Sequence, residues 1–190
     1  MTTGKISDEM KIASALKHRT IYLCDDVNRD SCFELNYYLD RIMRIDKENK
    51  VDKFEPITIH INSFGGSVYD GLGCISRIES MIDMGYEIIS IVDSYAMSMG
   101  SFISQVCSTR KAYRYATFLY HQVSSGTCGT TASMENDIKE TRRLWELVKK
   151  ITLNHTKFTS RQLNKIHQEN KDCYYTAEEM LELGVIDEII

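Results

Sequence analysis

Tyr95-Ala96-Met97-Ser98-Met99-Gly100-Ser101 stands between two apolar runs, the strand-like Ile88-Ile89-Ser90-Ile91-Val92 before it and the helix-like residues 101–106 after it. A small polar residue at a strand-to-helix turn has two explanations. It caps the helix, which is the common role of serine there. Or it displays a nucleophilic hydroxyl, with the first helical amides facing the charge that develops on a substrate oxygen. Either way the stretch marks a β-α unit, and the flanking sequence repeats that unit.

Upstream, Ile57-Thr58-Ile59-His60-Ile61-Asn62 alternates apolar and polar residues and predicts a strand. Asn62-Ser63-Phe64-Gly65-Gly66-Ser67-Val68 follows, and then a helix with Val68, Leu72, Ile75, Ile78 and Ile82 on one face, ended by Gly85. Earlier still, Thr20-Ile21-Tyr22-Leu23 reads as a buried strand closed by the turn-forming Asp25-Asp26-Val27-Asn28. Ser31-Cys32-Phe33-Glu34 has capping-box spacing and opens a helix with Leu35, Tyr38, Leu39, Ile42 and Ile45 at helical intervals. A short amphipathic helix with Met10, Ile12, Ala13 and Leu16 on its apolar side precedes these, after a polar, mobile terminus over residues 1–8.

Downstream, Ala112-Tyr113-Arg114-Tyr115 and Phe118-Leu119-Tyr120 predict two short strands, the second ending at His121. The longest helix is expected over residues 131–156, with Met134, Ile138, Trp145, Val148 and Thr152 along one stripe. Thr159-x-x-Gln162 and Thr176-x-x-Glu179 each cap a further helix, and residues 185–190 are strand-like. Strands alternating with helices imply an α/β fold of parallel β-α-β units with right-handed crossovers. No repeat, low-complexity tract or linker interrupts it, and the single proline, Pro56, leaves the long helix unbroken.

Composition narrows the function. The 190 residues suffice for one domain with a real core. A net charge of −4, with no basic stripe, argues against a nucleic-acid partner. Six scattered cysteines without a CxxC pair point to reduced thiols in a cytoplasmic protein. Neither a signal-peptide pattern nor an apolar run of membrane-spanning length is expected. HExxH and clustered Cys/His ligands are absent, so no metal is expected. GxGxxG and GxxxxGK[ST] are absent too, which leaves nucleotide binding unsupported.

The remaining chemistry centres on Ser98. Gly65-Gly66 is either a tight turn that needs positive φ, or a backbone whose amides face a ligand as an oxyanion site. A serine nucleophile needs a base, and among five histidines only His121 ends a strand beside a flexible polar segment, Ser124-Ser125-Gly126-Thr127-Cys128-Gly129-Thr130. Asp172 is one candidate to orient that imidazole; other carboxylates are plentiful, and spacing does not choose among them.

At this point the sequence resembles the ClpP-type serine peptidases, the proteolytic subunits of Clp proteases. The blocks that carry the resemblance are Arg19-Thr-Ile-Tyr-Leu, Ile57-Thr-Ile-His-Ile-Asn-Ser-Phe-Gly-Gly-Ser-Val-Tyr-Asp-Gly71, Ala96-Met-Ser-Met-Gly-Ser101, Tyr120-His-Gln122, Asp172-Cys-Tyr-Tyr-Thr-Ala-Glu-Glu179 and Gly184-Val-Ile-Asp-Glu188. They occur in order, with similar spacing, over residues 19–190. The resemblance implies the ClpP/crotonase-like fold with a protruding handle over about 122–156, one protease domain over 19–190, and a separate N-terminal segment and short helix over 1–18.

It further implies Ser98 as nucleophile, His121 as general base and acid, Asp172 as orienting carboxylate, and the amides of Gly66 and Met99 as oxyanion donors. Gln122, Val123, Ser124, Ser125 and Gly126 would pair with substrate backbone. Implied partners are further copies in heptameric rings, single or stacked in pairs, an AAA+ unfoldase that uses the ATP, and unfolded polypeptides; no cofactor is implied for this chain. Three departures stand out. Phe64 and Val123 occupy positions where the family carries proline, losing a ring-fixed φ. Asn170-Lys171 stands where members carry Asp-Arg, removing one partner of an inter-ring ion pair. Residues 1–17 match the family's axial loop poorly. Rival readings are a processing protease of phage or mobile-element type, a catalytically silent scaffold subunit of a mixed ring, and an acyl-CoA enzyme of the crotonase superfamily.

Overall fold

Along Ile57–Ser63 every odd residue is buried and every even one half-buried, the signature of a strand with one face against helices. In the computed structural model, which describes residues 8–190, this strand (β2) lies beside β1 (Thr20–Leu23) on one side and β3 (Ile88–Met97) on the other, all parallel. The expectation for the polar terminus ahead of Asp8 lies outside the described residues. Between the strands run α2 (Arg29–Glu48) and α3 (Val68–Asp83), completing the expected β-α-β succession. Ile59, Ile61, Leu39, Ile42, Ile75, Ile78 and Val92 meet in the core at 2% exposure or less. Each such side chain contributes roughly 1.5–3 kcal/mol of burial.

β3 is longer than the sequence suggested, and its length positions everything that follows. Ile89–Val92 pairs with β4 (Thr109–Ala112), whereas Tyr95–Met97 pairs with β5 (Thr117–Tyr120). The strand therefore changes partner near Asp93 and carries the chain straight to Ser98 at the carboxyl end of the sheet. There α4 (Met99–Ser104) begins. β5 continues antiparallel into β6 (Cys173–Thr176), and β7 (Glu188–Ile189) closes the other edge against β4.

Several sequence expectations need correction. α2 starts three residues early: Asn28 is its N-cap, accepting from the amides of Asp30 and Ser31, and Ser31 returns a bond to the Asn28 amide. Ser31 thus serves as the far member of a capping box whose near member is an asparagine. The strand expected over residues 112–115 lies instead over Thr109–Ala112, and a turn closed by the Ala116 amide on the Tyr113 carbonyl follows it. Only Glu188–Ile189 of the last apolar run pairs as strand, while Val185 and Ile186 are buried without it. In α1 (Asp8–His18) the buried residue is Ala15, and Met10, Ile12 and Ala13 are exposed. A Lys11–Glu34 contact at 3.1 Å accompanies that rotation of the helix against α2.

α5 (Thr131–His155) divides in two. Its second half buries Leu144, Trp145, Val148 and Thr152, whereas residues 135–139 are exposed, Ile138 at 47%. The predicted stripe is therefore buried over only half its length. α6 (Ser160–Glu169) and α7 (Ala177–Glu182) carry the two expected capping boxes, Thr159 with Gln162 and Thr176 with Glu179.

Candidate active site

Ser98 takes φ 51° and ψ −121°, a conformation L-residues avoid and one that costs of order 1–3 kcal/mol. The surroundings impose it. The Ser98 amide donates to the Leu119 carbonyl at 2.9 Å, which ties the turn to β5. The buried Ser101 hydroxyl donates to the Ala96 carbonyl at 2.5 Å and lies 3.3 Å from the Leu119 carbonyl, so one side chain holds both strand ends that flank the turn. Ser101 closes the opening stretch and begins the apolar run after it, and the sequence assigned it no role of its own. Although Ser98 occupies the N-cap position of α4, its hydroxyl makes no capping bond. It is turned outward, 2.8 Å from Nε2 of His121.

His121 and Asp172 come together through β5 and β6. The antiparallel ladder ends at Tyr120 opposite Cys173, so the next residues, His121 and Asp172, emerge facing one another. Nδ1 of His121 lies 3.1 Å from a carboxylate oxygen of Asp172. A carboxylate only accepts, so Nδ1 carries the proton and Nε2 is left to accept from the Ser98 hydroxyl. His121 is 30% exposed and Asp172 56%, placing the line at the surface of the subunit. Beneath it the Tyr120 hydroxyl donates to Gln105, and Gln105 donates to Thr152, at 2.9 and 3.1 Å. Full burial pushes the Tyr120 phenol far above its ordinary range.

The glycine pair forms the opposite wall. Gly65 (φ +90°) and Gly66 (φ +145°) both use backbone conformations that L side chains rarely adopt. Val27 bridges to Gly66: its amide donates to the Gly65 carbonyl, and its carbonyl accepts from Ser67, each at 2.7 Å. In such a parallel bridge the amide of the central residue points the other way, so the Gly66 N–H faces away from Val27. Gly66, Met99, Ser98 and His121 line one small cleft, with Val68 and Phe102 as its apolar side. The oxyanion candidates Gly66 and Met99 are thus brought beside the Ser98–His121 pair.

Of the proposed substrate segment, Gln122, Val123 and Ser124 line this cleft. Ser125 bonds to Thr141 at 2.7 Å and Thr127 bonds to Asp137, so the chain beyond the cleft is laid along α5. Gly126 is exposed in that stretch. The two proline replacements are braced by packing. Phe64 stacks on Tyr95 with ring centroids 4.3 Å apart, and Val123 packs against the core. Asn170 accepts a bond from Gln122, and Lys171 pairs with Glu169 at 3.1 Å. Among the described residues, no group of three or more His, Cys, Asp or Glu side chains is placed to hold a metal ion, and no helix is long and apolar enough to cross a membrane.

A hydroxyl, an imidazole and a carboxylate in hydrogen-bonded line, set beside a glycine-built turn at the carboxyl ends of parallel strands, define a class of α/β chain with the groups that acyl transfer needs. The chain belongs to the Clp protease family, whose model matches residues 4–190. It is 27% identical over 179 residues to an ATP-dependent Clp protease proteolytic subunit of Dehalococcoides mccartyi, covering 92% of this chain and 83% of that one. Similarity extends to ATP-dependent Clp protease proteolytic subunit 2 of Mycolicibacterium paratuberculosis, at 29% identity with the same coverage. Subunit 3 of Streptomyces coelicolor is 29% identical over 136 residues, 70% of this chain and 60% of that one. The architecture is accordingly the α/β fold of ClpP-type serine peptidases.

Proposed function

We propose that this chain is a serine endopeptidase that cleaves peptide bonds in unfolded polypeptides and peptides through an acyl-enzyme. The observation that carries the reading is the 2.8 Å and 3.1 Å line from Ser98 through His121 to Asp172, built on a serine held at positive φ. Ser98 Oγ attacks the scissile carbonyl while Nε2 of His121 takes its proton, and Asp172 stabilises the imidazolium that results. The negative oxygen accepts from the amides of Gly66 and Met99; one such donor is worth about 10²–10³ in rate. Nε2 then protonates the leaving amine, the C–N bond breaks and an ester to Ser98 remains. Water, deprotonated by His121, attacks that ester, releases the new carboxylate and restores the Ser98 hydroxyl. These steps use only side chains, backbone and water, so no cofactor is assigned to this chain.

In this reading residues 122–126 pair with the substrate backbone, which favours broad sequence tolerance. The exposed first half of α5 supports burial against further copies in heptameric rings, stacked or single. An AAA+ unfoldase would feed the substrate and consume the ATP, and the assembly would work in the cytoplasm. A fluorophosphonate probe tests the core of the reading: it should label the assembled protein at Ser98, and label should vanish in Ser98→Ala together with peptide hydrolysis. Hydrolysis that survives Ser98→Ala would overturn it.

A further inference from the structure

The carboxylate of the site sits on an exposed connection. Residues 170–172 join the end of α6 to β6, and Asp172 is 56% exposed. The β5–β6 ladder stops at Tyr120 and Cys173, one residue short of both His121 and Asp172. Past that point a second side-chain bridge stands beside the His121–Asp172 bond: the amide of Gln122 donates to the side-chain oxygen of Asn170. Gln122 adjoins His121 in the chain, and Asn170 lies two residues before Asp172.

Asn170 also ends α6 in the left-handed conformation, φ 47° and ψ 48°. Asparagine, aspartate and glycine tolerate that region better than other residues. The helix behind it is anchored by buried Leu163 and Ile166 and by stacking of His167 on Trp145 at 5.1 Å. Lys171, between Asn170 and Asp172, pairs with Glu169 on its own segment. The connection is therefore continuous with α6 at one end and β6 at the other, and the Asn170–Gln122 bond ties its first residue across to the strand end that carries His121.

We infer that Asn170 is a positioning residue for the active site: by accepting from Gln122 it holds the Asp172 loop against the strand end that carries His121. The inference rests on the peptidase reading above. It differs from a simple helix-capping role, because a cap requires only the left-handed backbone, whereas positioning requires the side-chain acceptor as well.

Three substitutions separate these roles. Asn170→Gly keeps the backbone conformation and removes the acceptor; Asn170→Asp keeps both; Gln122→Ala removes the donor. With a short fluorogenic peptide and assembled protein of unchanged native mass, Asn170→Gly should lower kcat about tenfold with KM changed less than about twofold, as expected when a hydrogen bond that orients catalytic groups is lost. Asn170→Asp should retain at least about half of kcat. Gln122→Ala combined with Asn170→Gly should do no more damage to kcat than the worse single variant, because both remove the same bond. Equal losses in Asn170→Gly and Asn170→Asp, additive losses in the double variant, a kcat of Asn170→Gly within about twofold of the unsubstituted chain, or a loss that tracks a changed native mass would each overturn the inference. Ser98→Ala, run beside them, reports separately on the peptidase reading: retained hydrolysis there removes that reading, whatever the Asn170 variants show.

Discussion

Gly65 is moulded around Ser98: a Cβ placed on Gly65 would lie 2.7 Å from the Ser98 Cβ and 2.5 Å from the Met97 carbonyl oxygen. Backbone cannot yield as the end of a flexible side chain can, so the turn itself would have to move. Gly65→Ala should cost a few kcal/mol in stability, through clash and positive φ together, and about 10²-fold or more in kcat. Gly85 provides the control. It has a similar φ of +96°, but open space around its Cβ, so Gly85→Ala should lower stability by about 1 kcal/mol and leave kcat unchanged. Chemical unfolding and peptide hydrolysis on both variants make the comparison.

In the proposed mechanism Asp172 orients His121, and its carboxylate, which only accepts, keeps the proton on Nδ1. Asp172→Asn can offer an amide N–H to Nδ1, which favours the tautomer that cannot accept from Ser98. We expect kcat to fall about 10³–10⁴-fold, with unfolding free energy changed by less than about 1 kcal/mol, since the side chain is more than half exposed. Steady-state kinetics alongside urea unfolding of the same preparation measures both.

The buried chain Tyr120–Gln105–Thr152 ties β5, α4 and α5 beneath the site. Gln105→Leu removes the acceptor of a fully buried phenol and the amide that reaches Thr152. The expected cost is about 1–3 kcal/mol of stability, and Tyr120→Phe in the same background should recover part of it by removing the stranded hydroxyl. A double-substitution cycle in urea unfolding reads the coupling.

Asp187 accepts from the Arg110 side chain at 2.6 and 2.9 Å and from its amide at 2.9 Å, and these bonds hold its carboxyl below the ordinary value of 3.8. The folded state then binds fewer protons than the unfolded one. Its contribution is fully present above the ordinary carboxylate range and is lost as pH falls through the lower folded value. Asp187→Asn should cost on the order of 1 kcal/mol at about pH 7, and the gap from the unsubstituted chain should narrow towards about pH 3. Thermal unfolding at the two pH values measures it.

The sheet was legible where sequence pattern and burial share a period. Ile57–Ser63 alternates in both, and Thr159 and Thr176 announced their helices because a capping box is a local arrangement. Local signals also misled. Ser31 has capping spacing, yet Asn28 supplies the cap, since either end of that box can carry the side-chain acceptor. The length of β3 was hidden because Asp93 and Ser94 interrupt its apolar run; β5 takes over as partner there and continues the strand, and no sequence window contains that partner.

Residue types at Ser98, His121 and the glycine pair, read by position and by family resemblance, pointed to one candidate site in one dimension, because a reactive hydroxyl, a titratable imidazole and a Cβ-free turn are each scarce chemistry. Asp172 was one carboxylate among many until the β5–β6 register set it opposite His121. The same holds for Ser101 bracing the turn, Phe64 stacking where a proline was expected, and Asn170 reaching Gln122. These are contacts between residues up to dozens of positions apart, and chain order carries the chemistry of each group but not the distance between them.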